Sequence, residues 1–287
     1  MEPVRIAVIG GSGLYSMEGL DKVREVTPDT PFGKPSDAIT VAELDGIPLA
    51  FLPRHGKGHR LLPTEVPSRA NIAALKGLGV EKILSFSAVG SLCQEMAPRH
   101  FVVPDQLIDR TRHRPDTFFG DGIVGHVAFA DPFANSLGKI LFDGMAELND
   151  VTRHHGGTLV CMEGPLFSTR GESELYRSWG AQLINMSALP ESKLAREAGI
   201  EYGLVCMVTD YDCWHTDHDD VDIQMVIANL VANGANAQEL IRKVLPKVAA
   251  APRDEAIAKA SEFAVITAPE LRPADTVARL KGIIDGI

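Results

Sequence analysis

Short apolar runs bounded by glycine, proline and polar residues recur along the first three-quarters of the chain. Runs of this length flanked by turn residues favour β-strands, whereas longer stretches with apolar residues at helical spacing favour α-helices. The runs predict strands at residues 5–9, 39–44, 47–52, 82–86, 101–104, 158–162 and 202–208, and another that starts near residue 181. Helices are predicted at residues 69–76, 134–149, 190–198, 221–245, 254–266 and 274–284.

The order of these elements predicts an α/β fold in a single domain that spans residues 1–287. A strand, a helix and a strand at residues 47–52, 69–76 and 82–86 form a crossover of the kind that joins parallel strands. Asp45-Gly46 predicts a hairpin between two strands, and Ser68 is in position to cap the first helix. The sequence contains no internal repeat, low-complexity tract or linker that would divide it.

The apolar run at residues 202–208 is typical of a strand that is buried on both faces. Asp210 and Asp212 follow it directly, with Tyr211 between them and Trp214 after them. Open α/β sheets bind ligands at this end of their strands, and burial there raises the pKa of an aspartate. The two aspartates are therefore candidate catalytic groups. The alternative is a surface loop whose acids cap the next helix, and the run by itself leaves both interpretations open.

The chain is acidic, with 28 lysines and arginines against 38 aspartates and glutamates, a net charge of -10 and a pI near 5.4. This balance argues against nucleic acid as a partner, because binding its phosphates requires a basic face. An anionic small substrate would need a local cationic pocket instead. No apolar run reaches membrane length, and the first residues lack a signal-peptide pattern.

The four cysteines have no CxxC spacing and lie mostly in or beside apolar runs. They are expected to be reduced, mainly structural thiols of a cytoplasmic protein. These cysteines are Cys93, Cys161, Cys206 and Cys213.

Two predicted strand ends carry residues suited to an anion. Gly10-Gly11-Ser12-Gly13 follows the first strand, but Ser16 occupies the place of the third glycine of a dinucleotide-binding fingerprint. A loop that binds phosphate or an oxyanion through Ser12 is preferred, with a plain tight turn as the alternative. Arg54 and His55 begin a cationic cluster after the strand at 47–52, where anion binding is favoured over a solvated basic loop.

Three further features are weaker signals. Phe167 lies on a glycine- and proline-containing turn and either stacks on a flat ligand or packs internally. The polar segment at residues 110–125 is expected to be a long loop over a functional face. His126 follows it, and a single histidine of this kind is more often structural than catalytic.

Motifs at the predicted strand ends occur in a characteristic order. They are Gly10-Gly11-Ser12-Gly13, Arg54-His55-Gly56, Ser87-Ala88-Val89-Gly90-Ser91-Leu92, Glu163-Gly164-Pro165, Asn185-Met186-Ser187 and Thr209-Asp210-Tyr211-Asp212-Cys213-Trp214, together with the segment at 29–37. On these motifs the chain resembles the trimeric purine nucleoside phosphorylase family over residues 5–250. Within that family it is most similar to the members that cleave S-methyl-5′-thioadenosine.

The resemblance implies a fold and a reaction. The fold is one domain with a twisted, mostly parallel or mixed sheet flanked by helices, assembled as a homotrimer or a pair of trimers. The reaction is phosphorolysis of methylthioadenosine to adenine and 5-methylthioribose 1-phosphate, with inorganic phosphate as co-substrate and no metal or organic cofactor.

The resemblance also implies a role for each site residue. The catalytic residues would be Asp210, which gives a proton to purine N7, and Asp212, which accepts from the exocyclic amine or supports Asp210. Phosphate would be bound by Ser12, Arg54, His55, Ser87, Ala88 and Ser187. The nucleoside would be bound by Met186, Phe167, Ser168, Val89, Gly90 and His126, the last reaching the 5′ pocket of a neighbouring subunit.

Specificity is implied by two positions. Relatives that cleave 6-oxo purine nucleosides carry Asn and Glu where this chain has Asp210 and Ser168, so adenine is expected to be preferred over hypoxanthine. The chain departs from the methylthioadenosine-cleaving pattern at Ser187-Ala188-Leu189, which replaces Thr-Thr-Val, and at Val89. The competing hypotheses are a phosphorylase of adenosine, inosine or methylthioinosine, and a nucleotide-binding module built on residues 10–13 without chemistry.

Overall fold

The computed structural model describes residues 4–11, 14, 17–215 and 223–287, excluding the side chains of residues 223 and 225. Within these residues the chain forms one mixed sheet of eleven strands. The strands are β1 (Ile6–Gly10), β2 (Leu20–Val26), β3 (Ile39–Leu44), β4 (Ile47–Pro53), β5 (Lys82–Ser91), β6 (Phe101–Val103), β7 (Gln106–Arg110), β8 (Arg153–His155), β9 (Thr158–Met162), β10 (Leu183–Asn185) and β11 (Glu201–Tyr211).

The helices lie between these strands and after the last of them. They are α1 (Ser68–Gly77), α2 (Asn135–Met145), α3 (Arg170–Ser178), α4 (Ala188–Glu197), α5 (Ile223–Ala250), α6 (Glu255–Ala258) and α7 (Ala274–Leu280), and a 3₁₀ helix spans Pro269–Leu271. None of the helices described here is long and apolar enough to cross a membrane.

The sheet runs in the order β2-β3-β4-β1-β5-β10-β9-β7, and β11 pairs with β5 and β6, while β6 also pairs with β8. The central strands β4, β1, β5 and β11 are parallel, whereas the hairpins β2–β3 and β3–β4 are antiparallel. The predicted α/β class with a mostly parallel or mixed sheet is therefore confirmed, as is the hairpin at Asp45-Gly46.

Strand β5 is the junction of the sheet. Strand β11 pairs with β5 along the whole length of β5, from Lys82 to Ser91. Strand β1 pairs only with residues 82–85 and β10 only with residues 90–91. Because a strand has two edges, β1 and β10 share the edge opposite β11, and residues 86–89 pair with neither of them. This interval is called the β5 gap.

The core is formed on both faces of the sheet. Residues 201–209 of β11 are all buried, as the apolar run predicted. Helices α1 and α4 supply apolar residues to one buried cluster, including Ile72 and Leu194. Helices α2 and α5 supply another, including Leu137 and Leu240.

Several predicted boundaries were wrong. Strands β5 and β11 do not end at Phe86 and Val208 but continue to Ser91 and Tyr211, because they keep pairing with each other. Helix α1 begins at Ser68 itself, with Pro67 at the N-cap position and no side-chain cap.

The predicted helix at 254–266 contains only the four residues of α6. The chain then turns, and Val265 forms a β-bridge with Gly125. Strands β2, β7 and β8 were missed because they are short or half-exposed, so their apolar pattern is weak.

Candidate active site

The predicted site residues converge on one cavity of about 450 Å³ at the carboxyl ends of β1, β5, β9 and β11. Topological switch points of α/β sheets are where such ligand crevices form. Twelve predicted residues line the cavity: Arg54, His55, Ser87, Ala88, Val89, Gly90, Phe167, Ser168, Met186, Ser187, Asp210 and Asp212.

Two predicted residues are not among these. Ser12 lies outside the described residues, so its role in phosphate binding stays a prediction. His126 is exposed and does not line the cavity of its own chain.

A β-bulge places Asp210 in the cavity. Val208 pairs with Val89 and Asp210 pairs with Gly90, so Thr209 is an additional residue in β11. Bulges of this kind redirect side chains next to active sites. A Cβ atom on Gly90 would lie 3.2 Å from Asp210 Oδ2 and 3.1 Å from Ile184 Cγ2, so the glycine lets the carboxylate approach β5 without displacing a neighbour.

The pKa of Asp210 is raised to about 6, mainly by burial and in small part by the nearby Asp212 carboxylate, against a lowering effect of the Thr209 hydroxyl. Thr209 Oγ1 lies 2.6 Å from Asp210 Oδ1 and 3.2 Å from the carbonyl oxygen of Val89. The hydroxyl has one proton, so it donates to Asp210 when that group is ionised. When Asp210 is protonated, the hydroxyl is able to donate to Val89 instead. The site therefore accommodates both protonation states of Asp210 near neutral pH.

Asp212 is buried, and burial raises its pKa as well. Its backbone N–H donates to the carbonyl oxygen of Ser91 at 3.0 Å, which holds the residue against β5. Its Oδ2 atom has no hydrogen bond of good geometry within the described part of the chain, although the hydroxyls of Ser173 and Ser168 are near enough to the carboxyl group to lower its pKa against burial. A buried carboxylate oxygen without a good hydrogen bond is costly, and a ligand that donates an N–H to it would remove that cost.

Hydroxyl groups cluster beside the β5 gap. Ser87 Oγ and Ser187 Oγ lie 2.8 Å apart. The amide of Asn185 donates to both, at 3.0 and 3.3 Å. The Ser87 hydroxyl donates to the carbonyl oxygen of Ala88 at 2.9 Å, and an oxyanion in the cavity would compete with that carbonyl for its proton.

Arg54 forms a buried ion pair with Glu191, which the sequence did not reveal. Its Nε donates to Glu191 Oε1 at 2.5 Å and its Nη2 donates to Glu191 Oε2 at 3.0 Å. The same guanidinium donates to the carbonyl oxygen of Phe86 and to Ser85 Oγ, at 3.0 and 2.7 Å. The Arg54 guanidinium was predicted to bind an anionic ligand, but in the structure it binds the carboxylate of Glu191. Arg54 nevertheless lines the cavity.

His55 is neutral at physiological pH, because burial and the adjacent charge of Arg54 lower its pKa to about 4. Its Nδ1 lies 2.9 Å from the carbonyl oxygen of Leu61. A carbonyl only accepts hydrogen bonds, so Nδ1 carries the proton and Nε2 is an acceptor. The neutral ring can therefore accept from a protonated phosphate oxygen rather than donate to an ionised one.

Sequence reasoning missed the residues that support the site from behind. Glu191 was assigned only to the start of a helix, and Asn185 served only as part of a motif. Nothing in the local pattern around Thr209 signals an inserted strand residue. Only three-dimensional proximity links these residues to Arg54, Ser87 and Asp210.

A model of the phosphorylase superfamily matches residues 5–246. The chain belongs to the phosphorylase superfamily. This match confirms the expected enzyme family, and residues 5–246 contain every motif on which the resemblance was based.

Curated relatives in the superfamily are similar to this chain over nearly its whole length. An S-methyl-5′-thioadenosine phosphorylase from Synechocystis sp. is 54% identical over 277 residues, which cover 96% of this chain and 85% of the relative. One from Geobacter sulfurreducens is 52% identical over 285 residues, which cover 99% of each.

Solved structures in the superfamily have the same fold. A methylthioadenosine phosphorylase from an Antarctic soil metagenomic library has a TM-score of 0.94 and 46% identity, covering 99% of this chain and 100% of that one. A variant of an adenosine/methylthioadenosine phosphorylase from Schistosoma mansoni, bound to methylthioadenosine, has a TM-score of 0.81 and 34% identity, covering 88% and 95%.

Proposed function

We propose that this protein cleaves S-methyl-5′-thioadenosine with inorganic phosphate, giving adenine and 5-methylthioribose 1-phosphate. The observation that carries the proposal is the content of a single cavity: a half-buried and a buried aspartate, both with raised pKa, and a cluster of hydroxyls with a histidine acceptor. The first group suits a purine and the second suits phosphate. Superfamily membership and the named relatives support the same reaction.

In the proposed mechanism a phosphate oxygen attacks C1′ of the ribose while the bond from C1′ to purine N9 breaks. The sugar gains positive charge, which the phosphate anion stabilises. The electron pair of the broken bond passes to the purine, and Asp210 supplies a proton to N7. A general acid works best when its pKa is close to the working pH, and the raised pKa of Asp210 meets that requirement.

Adenine is proposed as the base because of Asp212. Its Oδ2 atom lacks a hydrogen bond of good geometry among the described residues and accepts one from a 6-amino group. A 6-oxo purine presents an oxygen acceptor there instead, which would face the carboxylate and leave both groups unsatisfied. Ser168 and Val89 border the same part of the cavity, and Phe167, half-exposed at 50%, is proposed to stack on the base.

The phosphate subsite is proposed to comprise Ser12, Arg54, His55, Ser87, Ala88 and Ser187. Ser87 and Ser187 provide the hydroxyls, and His55 accepts from a protonated phosphate oxygen. Met186 is proposed to contact the ribose, with Gly90 beneath the base. No metal or organic cofactor takes part in the proposed reaction.

The first test is adenine or hypoxanthine release from methylthioadenosine, adenosine, inosine and methylthioinosine, each with and without phosphate. Phosphate-dependent release that is fastest from methylthioadenosine is the expected result. A preference for a 6-oxo nucleoside would overturn the role given to Asp210 and Asp212. Release from none of the four nucleosides would contradict the proposed reaction and favour a binding module.

We further propose that the active form is a homotrimer in which His126 completes the 5′ pocket of a neighbouring subunit. Exposed apolar side chains lie near His126 in the chain and in the segment that is hydrogen-bonded to it. They are Val124, which is 47% exposed, Phe263, which is 89% exposed, and Ile266, which is 67% exposed. Backbone hydrogen bonds join this segment to residues 264–266. Exposed apolar side chains grouped in this way mark an interaction surface.

Co-expression of His126→Ala and Asp210→Asn chains, purified together through two tags, tests this arrangement. Each variant alone is expected to have low activity, whereas every mixed trimer that carries both tags would regain one wild-type site, about a third of its sites in a cyclic trimer. The matched control is co-expression of Asp210→Asn chains with Asp212→Asn chains. Each site takes both aspartates from the same chain, so no mixed trimer of these two variants contains a wild-type site. Failure of the His126 mixture to exceed this control would contradict the shared site.

A cytoplasmic location is also proposed. The four cysteines are free thiols, and disulfides are rare in that reducing compartment.

A further inference from the structure

The long loop that follows β7 contains a buried arginine with no part in the proposed chemistry. Arg114 is 9% exposed, although it lies in the polar segment at residues 110–125. A buried guanidinium is expected to have a specific structural or functional reason, because its charge and its five N–H donors need partners.

All five N–H donors of Arg114 have acceptors. Nη1 donates to the carbonyl oxygens of Met186 and Leu189, at 2.6 and 2.5 Å. Nη2 donates to the carbonyl oxygens of Met162 and Glu163, at 3.1 and 2.6 Å. Nε donates to Glu163 Oε1 at 3.4 Å. The guanidinium is fully used in these contacts, so it does not itself bind a ligand.

These acceptors belong to two separate parts of the site. Met162 and Glu163 are at the carboxyl end of β9. Met186 and Leu189 lie on either side of Ser187, where the end of β10 leads into the first residues of α4; residues 185–189 are here called the ribose turn. Strands β9 and β10 pair in parallel as far as Cys161 and Asn185. Beyond that pairing, Arg114 links the two strand ends directly.

The two parts are also in close contact beside Arg114. A Cβ atom on Gly164 would lie 2.4 Å from Met186 Sδ, so the side chain of Met186 is packed directly against the turn after β9. Small displacements of the ribose turn would therefore change both its backbone and the direction of Met186.

We propose that Arg114 is a positioning residue that fixes the ribose turn relative to β9 and thereby orients Met186 and Ser187 toward the reacting sugar and phosphate. This inference rests on the proposed phosphorolysis. The base subsite on β11 contains no acceptor of Arg114, so the effect of losing it should be confined to the sugar and phosphate side.

Arg114→Lys is the informative variant. A lysine keeps the positive charge but has three donors on a single nitrogen, so it is unable to span carbonyls from both parts. Misplacement of reacting groups by about 1 Å costs about 10²-fold in rate. We expect kcat/KM for methylthioadenosine phosphorolysis to fall by roughly this factor, while the Kd of adenine, measured by calorimetry, stays at the wild-type value.

Lys193→Gln is the matched control. Lys193 forms ion pairs with Asp109 and Asp116 at 2.7 and 2.6 Å, and so holds the same loop without touching the ribose turn. The Lys193→Gln variant should keep a kcat/KM close to that of the wild type. An equal loss of activity in both variants, or a loss of adenine binding in Arg114→Lys, would show a general structural role and overturn the inference.

Wild-type activity separates this inference from the proposed function. If the wild-type protein does not release adenine from methylthioadenosine, the proposed reaction fails first. If it does and Arg114→Lys is equally active, only the role of Arg114 is wrong.

Discussion

Replacing Asp210 by asparagine is expected to lower adenine release from methylthioadenosine by about 10²–10⁴-fold, the usual contribution of a positioned general acid. The amide keeps the size of the side chain but has no proton to give to N7. Steady-state rates at several pH values measure the effect. Because the pKa of Asp210 in the free protein is about 6, wild-type kcat/KM should fall as pH rises above that value. The variant should lack this dependence.

Thr209→Val is the control for this variant. It keeps the carboxyl group but removes the hydroxyl that lowers its pKa, so activity should be retained and the fall in kcat/KM should move to higher pH. The asparagine variant should also reject inosine and methylthioinosine less strongly than the wild type does. Unchanged adenine release in Asp210→Asn would remove Asp210 from the role of general acid.

The same substitution has a consequence for stability. The pKa of Asp210 is raised from 3.8 to about 6 by folding, so the folded state holds this proton more tightly than the unfolded state does. The resulting stabilisation is fully present below pH 3.8 and is lost as pH rises through 6. At pH 8 the ligand-free asparagine variant should therefore be more stable than the wild type, by at most about 3 kcal/mol.

Replacing Glu191 by glutamine is expected to destabilise the protein by about 3–5 kcal/mol, because a buried charge loses its counter-charge. The side chains of Arg54 and Glu191 are 4% and 2% exposed, so water does not compensate the guanidinium. Phosphate would supply the missing negative charge. It should therefore raise the Tm of the variant more than that of the wild type, as measured by thermal unfolding with and without phosphate.

Glu197→Gln is the control on the same helix. Glu197 is half-buried, and it accepts from Thr117 Oγ1 and from the backbone of Phe118 rather than from a cation. Burial raises its pKa to about 7, so it is partly neutral at working pH and its loss should cost less. A phosphate effect of the same size in both variants would contradict the coupling between Glu191 and the phosphate subsite.

The sequence predicted the cavity-lining residues well because most lie at strand ends, and parallel strands bring their ends to one edge of the sheet. Arg54, Ser87 and Asp210 could therefore be grouped without knowing any distance. Arg114 and Glu191 could not be grouped in this way. One lies in a long loop and the other in the first turn of a helix, and their partners are distant in sequence.

The bulge at Thr209 shows a second limit of pattern reasoning. Apolar periodicity identified the buried strand, but an inserted residue changes pairing without changing the pattern of the flanking residues. The tail shows a third limit. Between Ala258 and Ile266, Val265 bridges to Gly125, Ala264 is buried, and Phe263 and Ile266 are exposed, so the apolar residues of this segment do not share one helical face.

The β5 gap has a consequence for how this enzyme family diverges. The gap is set by where β1 and β10 stop pairing with β5, so it depends on main-chain pairing and not on the identity of one side chain. A substitution at Val89, which lies in the gap and lines the cavity, therefore reshapes what the cavity accepts while the strand pairing persists. Ligand preference can drift in such a protein at little risk to folding, because the feature that admits the ligand is inherited with the strand order.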